Sequence, residues 1–282
     1  MSFAEHFETR QVERLDLSHY CRVASGCSVG ATLKHMVESD QNCAFVMQQS
    51  RLVGIFTDRD VLEKVVDTPD CWADPIDSVM TRAPVTVAAT ATAMDALRLV
   101  NSRRLRNLPA LNSDGAVIGN AGFFGLMHLA HVLVREAQAK TRGEISVGQD
   151  LFLASLPGLM SHKPVTVAPG ASLADCVQTM RGHDIGALIV VDGRGGIAGV
   201  FSERELLTKV AGKLDRLDTQ AVGEFMNSDV PGLSPRDSIA TALEHMTRRR
   251  IRRLPLVDAG DKPTGVVGFR DIAVYIERSS SA

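Results

Sequence analysis

Few features of this 282-residue sequence point to an oxidising compartment or a membrane. The five cysteines form no Cys-x-x-Cys pair, and their odd number argues against a disulfide framework, so we interpret them as reduced thiols. The longest apolar run, 186–191, is far too short to span a bilayer, and the acidic, polar amino terminus is unlike a signal peptide. We therefore expect a cytoplasmic protein with no membrane insertion.

An excess of charge of one sign is also missing. The 31 Lys and Arg residues nearly balance the 33 Asp and Glu residues, so the net charge of −2 creates no global field that would attract DNA. Aromatic residues make up only 5% of the chain against 45% hydrophobic residues, which indicates an interior of aliphatic side chains. We expect no nucleic acid partner, and any basic site must be local.

Motifs for catalysis and cofactor binding are missing as well. The sequence has no Ser-His-Asp arrangement, no Walker loop and no GxGxxG after a strand. His128 and His131 lie three residues apart on a probable helix, but no nearby Cys, Asp or Glu completes a metal site. We therefore predict no catalytic residues, no metal, no required cofactor and no enzymatic activity.

What the sequence does contain is an internal repeat. MTRAPVTV begins at Met80, MSHKPVTV at Met160 and a weaker copy, MNSDVPGLS, at Met226. Each is followed by a Ser or Thr and then by apolar residues at helical spacing, and a fourth copy lacks only the Met opening. The predicted helix caps are Ser28, Thr92, Ser172 and Ser238. Two short apolar segments joined by a polar turn and a further helical stretch follow each helix. Each unit therefore reads β-α-β-β-α, in a mixed α/β (α+β) fold.

The spacing of the units groups them in pairs. The equivalent positions Thr57, Gly122, Ser202 and Gly268 are separated by a short, a longer and again a short interval. We predict an amino-terminal extension (1–16), a first pair (17–140), a linker (141–152) and a second pair (153–278).

The segments that follow the last strand of each unit resemble a known signature. They read GIFTDRD from Gly54, GNAGFFG from Gly119, GVFSERE from Gly199 and GVVGFRD from Gly265. This resembles the Gly-h-x-Thr/Ser-x-x-Asp motif of the cystathionine β-synthase (CBS) domain family, and the resemblance covers about residues 17 to 278. In that family two repeats form a Bateman module that binds adenosine-containing ligands between its paired sheets. The resemblance implies four CBS repeats in two Bateman modules, stacked with each other or forming discs between chains.

The resemblance also implies ligand contacts in the signature. An Asp carboxylate can accept hydrogen bonds from the two ribose hydroxyls, while a Thr or Ser hydroxyl at a helix amino terminus faces the phosphate. Thr57 and Ser202 match the phosphate position, and Asp60, Glu205 and Asp271 match the ribose position.

A reading without a ligand is also open for these motifs. Thr57-x-x-Asp60 and Ser202-x-x-Glu205 both fit an ordinary helix capping box. The second unit has Gly122 and Gly125 at the two positions, so we expect no ribose clamp there.

Arginines before the Leu-Pro segments extend the implied site. In the family such residues reach the phosphates of a nucleotide held by the partner repeat, and Arg106, Arg252 and Arg253 match them. Arginines at a solvated helix end, attracted by its dipole, are the alternative. The family also places adenine near positions that match Val165, Gly186 and Ala187, three residues that fit a core role equally well.

Two functions are consistent with this sequence. One is a regulatory protein, most often a homodimer in the family, that senses an adenosine-containing ligand such as AMP, ADP, ATP or one similar to S-adenosylmethionine. Its output would come from an unknown effector polypeptide. The other is an interaction scaffold that keeps the fold but has lost ligand binding, which Gly125 and Glu205 favour because they depart from the motif.

Overall fold

The computed structural model describes residues 3–140, 156, 159, 162–214 and 216–280. Within these ranges no helix is both long and apolar enough to cross a membrane. The predicted linker, 141–152, lies outside the described residues.

The helices and strands alternate along the chain as the repeat predicts. The helices are α1 (Phe3–Thr9), α2 (Val29–Glu38), α3 (Asp58–Asp60), α4 (Ala93–Ser102), α5 (Phe123–Lys140), α6 (Leu173–Gly182), α7 (Glu203–Glu205), α8 (Ile239–Arg249) and α9 (Phe269–Ser280). The short helices α3 and α7 continue into π-helical turns, Val61–Val65 and Leu206–Val210. The strands are β1 (Cys21–Ala24), β2 (Cys43–Gln48), β3 (Arg51–Thr57), β4 (Thr81–Arg82), β5 (Val87–Ala88), β6 (Pro109–Leu111), β7 (Val117–Asn120), β8 (Thr166–Val167), β9 (Ala187–Val191), β10 (Ile197–Ser202), β11 (Arg253–Val257) and β12 (Pro263–Gly268).

Each long helix that opens a unit begins at its predicted cap. The side-chain oxygens of Ser28, Thr92, Ser172 and Ser238 each accept a hydrogen bond from the backbone N–H three residues later. Such a bond satisfies one of the donors that a helix amino terminus leaves free. The apolar positions that follow are buried, which confirms the helical periodicity.

The sheets confirm the mixed α/β fold. In the first unit (β1 to α3), β1 runs parallel to β2, which pairs antiparallel with β3. The second unit (β5 to α5) and the third (β8 to α7) repeat this order. The fourth unit (α8 to α9) keeps only the hairpin of β11 and β12, because its first strand is reduced to a single bridge between Leu233 and Leu256.

The two pairs of units stack on each other within the chain. Helices of the first unit share one hydrophobic core with those of the third, and the second unit shares another with the fourth. In the latter core α5 packs against α8 and α4 against α9, while α1 covers α4 and α9 with the buried Phe7. Residues from all four units consequently meet where these cores adjoin.

Candidate ligand site

The signature of the first unit forms a closed capping box. One oxygen of the Asp60 carboxylate accepts the Thr57 backbone N–H and the Thr57 hydroxyl, both at 2.9 Å. Its other oxygen binds the Lys64 ammonium at 2.7 Å. Because both oxygens have partners, a ribose would have to compete with the cap and with Lys64.

The third unit repeats the capping arrangement with a longer acid. One oxygen of Glu205 accepts the Ser202 backbone N–H at 3.1 Å and the Ser202 hydroxyl at 2.5 Å. Both motifs therefore form the capping boxes that the alternative interpretation expects. A ligand role for them stays a prediction.

Asp271 in the fourth unit is held differently. One carboxylate oxygen accepts the Gly268 backbone N–H at 2.7 Å, and the other lies 3.6 Å from Nε2 of His162. Burial raises the pKa of Asp271, against the opposing effects of that hydrogen bond and of the charges of His162 and Arg253. Since Gly268 supplies no hydroxyl, the capping oxygen of Asp271 accepts one hydrogen bond where those of Asp60 and Glu205 accept two.

Steric crowding explains why the second unit has glycine at both signature positions. A Cβ on Gly125 would lie 2.5 Å from the carbonyl oxygen of Asp16, and one on Gly122 would lie 2.8 Å from Cα of Asn107. Both obstacles are backbone atoms, which cannot swing aside as a flexible side chain could. The segment before β1 thus runs where an aspartate side chain would stand in the other units.

The predicted phosphate arginines meet at the junction of the four units. Arg106 binds one oxygen of Glu203 at 2.5 Å, and Arg252 binds the same oxygen at 3.3 Å. Arg252 also pairs with Asp58, while Arg59 binds the other Glu203 oxygen at 3.3 Å. Both carboxylates are fully buried, at 0% exposure, so this cluster lies inside the protein.

The charges at the junction change each other's proton affinity. Burial alone would raise the pKa of Glu203, but Arg106, Arg252 and Arg253 together lower it to about 2. Burial, helped by the positive charge of Arg106, lowers the pKa of Arg253 to about 10. Glu203 is therefore ionised at all ordinary pH values. Burial and the neighbouring positive charge destabilise the charged form of Arg253.

Four guanidinium groups, those of Arg59, Arg106, Arg252 and Arg253, lie around the buried carboxylates of Asp58 and Glu203, and Arg59 has two further acidic partners, Glu63 and Asp184. Nη1 of Arg252 and one oxygen of Asp58 are buried without a hydrogen-bond partner. Within the described part of the chain, no ion pair or hydrogen bond engages the guanidinium of Arg253. Buried charges are stable only when paired, so Arg253 and the unpartnered Nη1 of Arg252 make the junction a candidate anion site.

The positions matched to adenine have different surroundings. A Cβ on Gly186 would lie 2.7 Å from Nη1 of Arg253, so Gly186 borders the charged junction. Val165 accepts the Ile189 N–H at 3.0 Å and packs on the core shared by the first and third units. Ala187 opens β9 opposite Ser202. The structure thus brings Gly186 to the arginines and gives Val165 and Ala187 strand contacts.

Sequence reasoning missed the two buried acids, although a signal was present. At the position after the Thr or Ser of the signature the units read Asp58, Phe123, Glu203 and Phe269. The two phenylalanine rings meet edge to face, with centroids 5.2 Å apart. The first and third units thus carry an acid at this position, and the second and fourth carry a phenylalanine. This alternation indicates that equivalent loops meet across the stack, the acids around the arginines and the phenylalanines in the hydrophobic core.

Comparison with known proteins divides the chain into the same four units. The CBS domain profile matches residues 20–67, 76–120, 154–212 and 222–278. An uncharacterised 33.4 kDa protein of Thermofilum pendens is 28% identical over 199 residues, 68% of this chain and 62% of that protein. The chain thus spans less than two thirds of this relative. The CBS domain-containing protein YhcV of Bacillus subtilis is 28% identical over 46% of this chain and 91% of its own length.

A solved structure shares the arrangement of all four units. The crystal structure of protein MJ1225 from Methanocaldococcus jannaschii, described as a proposed archaeal homologue of γ-AMPK, superposes with a TM-score of 0.79. The match covers 95% of this chain and 99% of that one at 16% sequence identity, so the likeness concerns the fold.

Proposed function

The chain belongs to the CBS domain family, and from that premise we propose that it is a non-catalytic regulatory protein that senses an adenosine-containing ligand. The observation that carries the proposal is the arrangement in the fourth unit. There the Asp271 carboxylate accepts no side-chain hydroxyl in its helix cap, and it feels the charge of Arg253, whose guanidinium has no ion-pair partner within the described residues.

The hairpin of the fourth unit positions these two groups. Arg253 in β11 pairs with Gly268 in β12, and the Gly268 N–H holds Asp271 at the start of α9. Asp271 would accept the ribose hydroxyls, and the phosphate would reach the predicted arginines Arg106, Arg252 and Arg253. The His162 ring, 3.6 Å from Asp271, borders the same position.

The other predicted positions would serve as further or weaker sites. A ligand on Asp60 or Glu205 would compete for one carboxylate oxygen with the hydroxyl of Thr57 or Ser202, and on Asp60 also with Lys64 for the other. Contacts of adenine with Val165 and Ala187 likewise remain predictions. We propose the fourth unit as the principal site because there the ligand displaces no side-chain hydroxyl.

The fold offers a route for the signal. α9 begins beside Asp271 and packs against α4 of the second unit, so a ligand that moves the start of α9 also shifts the core of the second and fourth units. Such a shift requires only that the ligand prefers one orientation of the units. A second copy of the chain and an effector protein in the cytoplasm would read it.

A thermal-shift assay tests this function. Purified nucleotide-free protein would be heated with AMP, ADP, ATP, S-adenosylmethionine and guanine nucleotides, because a ligand bound only by the native state stabilises it by about 2.7 kcal/mol at a hundred times its Kd. We expect one adenine ligand to raise the Tm of wild type and of Asp60→Ala, but not of Asp271→Ala. Light scattering of the same samples tests the homodimer.

An interaction scaffold without a ligand is the second candidate. The closed caps at Asp60 and Glu205 and the occluded second unit favour it. No shift with any ligand, together with partner binding that is indifferent to nucleotides, would favour the scaffold. Release of inorganic phosphate or another product would instead show an enzyme.

A further inference from the structure

The two oxygens of the Glu203 carboxylate have separate partners. Oε1 binds Arg59 of the first unit at 3.3 Å, whereas Oε2 binds Arg106 of the second unit and Arg252 of the fourth. Arg59 in turn pairs with Glu63 at 2.8 Å and with Asp184. Glu203 could therefore keep its contact with Arg59 if Arg106 and Arg252 took another partner.

Arg252 is incompletely satisfied in this arrangement. Its Nη2 is shared between Asp58 and Glu203, while its Nη1 is buried without a partner. A carboxylate oxygen can fill only part of the donor fork of two guanidinium groups, whereas a phosphoryl group offers three acceptor oxygens. The pair formed by Arg106 and Arg252 fits a phosphoryl group better than it fits the oxygen it now holds.

We propose that Glu203 is a specificity-determining residue, an internal carboxylate that occupies the phosphate arginines Arg106 and Arg252 and that a phosphorylated ligand must displace. The proposal rests on the proposed function for the ligand class, but concerns the charge that the site accepts. Glu203 contacts arginines from each of the other three units, so its displacement would be felt by all four.

The physical consequence is selection by charge. A carboxylate that remains within about 5 Å of a bound phosphate repels it by about 3 kcal/mol at an effective dielectric constant of 20, a factor of roughly a hundred in affinity. The repulsion grows with the number of phosphate charges at the junction. With Glu203 present, the site should favour ligands with few phosphates over those with many.

Calorimetric titration with inorganic pyrophosphate and tripolyphosphate tests the proposal without adenosine. We expect Glu203→Gln to bind both at least about tenfold more tightly than wild type does, and to improve ATP binding more than AMP binding. Asp67→Asn is the matched control: Asp67 also pairs across the units, with Arg181 at 2.6 Å, but stands apart from these arginines. It should leave all four affinities unchanged.

The outcomes separate the two proposals. Nucleotide binding by wild type with no gain in Glu203→Gln overturns the role of Glu203 and leaves the sensor intact. A pyrophosphate gain without any adenine binding supports Glu203 and refutes the sensor.

Loss of this buried charge could also unfold the variant. In that case circular dichroism with and without tripolyphosphate replaces the titration. Refolding by the anion supports the proposal, since the phosphate then takes the place of the carboxylate, and failure to refold counts against it.

Discussion

Gly125 provides a direct test of how the second unit is closed. In the third position of α5, replacing glycine by alanine should stabilise an ordinary helix by up to about 1 kcal/mol. Here the new Cβ would lie 2.5 Å from the carbonyl oxygen of Asp16. That backbone is fixed by its neighbours, because the Asp16 carboxylate accepts from the Ser18 N–H at 3.1 Å and the Leu17 carbonyl accepts from the Asn120 N–H at 3.0 Å.

Overpacking against fixed backbone typically costs about 1–3 kcal/mol, which exceeds the gain in helix propensity. We therefore expect Gly125→Ala to lower the free energy of unfolding by about 1–2 kcal/mol. Urea unfolding followed by circular dichroism measures this as a lower midpoint at an unchanged slope.

Gly182 is the matched control for this substitution. It ends α6, and a Cβ there would meet no atom within 4 Å. Gly182→Ala should leave stability unchanged or raise it by up to about 1 kcal/mol. If Gly125→Ala stabilises the protein as much as Gly182→Ala does, the amino-terminal segment does not occlude the second unit and the reasoning fails.

Three further changes test the caps, the stack and the ligand site. Ser172→Ala should cost about 1 kcal/mol in urea unfolding, because the Asp175 N–H loses its acceptor. Asp67→Asn should cost at most about 1 kcal/mol at pH 7, since its ion pair with Arg181 is partly exposed. Arg181 lowers the pKa of Asp67, so this difference should vanish as the pH falls below about 4; a constant difference would contradict the pairing. Asp271→Asn should stabilise the ligand-free protein at pH 7 but not in acid, because burial raises the pKa of Asp271 and so penalises its ionised form. Tm measured from pH 3 to 8 would show this, and a loss of stability at pH 7 would refute it.

Much of the fold was predictable because it depends on local signals. Ser28, Thr92, Ser172 and Ser238 all cap the helices that their hydroxyls predicted, since capping acts within one helical turn. The first strand of the fourth unit was predicted as a strand but is only the bridge at Leu233. Pro231 and Gly232 directly precede Leu233, and both residue types are depleted in strands, so this local signal outweighed the prediction from the repeat.

The site was less predictable than the fold. The signature located Asp60, Glu205 and Asp271 on helix starts, and Gly268 already showed that Asp271 lacks a capping hydroxyl, but the Lys64 and His162 contacts of the other oxygens appear only in the structure. Asp58 and Glu203 could have been suspected from their alternation with phenylalanine. Their burial could not, because a charged residue is placed inside a protein only by partners from elsewhere in the chain.

The sequence by itself determined the four units, their caps and their grouping in pairs, because hydrophobic periodicity and capping are properties of neighbouring residues. Only the tertiary structure decided that the first unit packs on the third and the second on the fourth. It alone brought Arg106, Arg252 and Glu203 together from three units. An ion pair between residues far apart in sequence exists only after the helices have packed, since packing excludes the water that would otherwise solvate each charge separately.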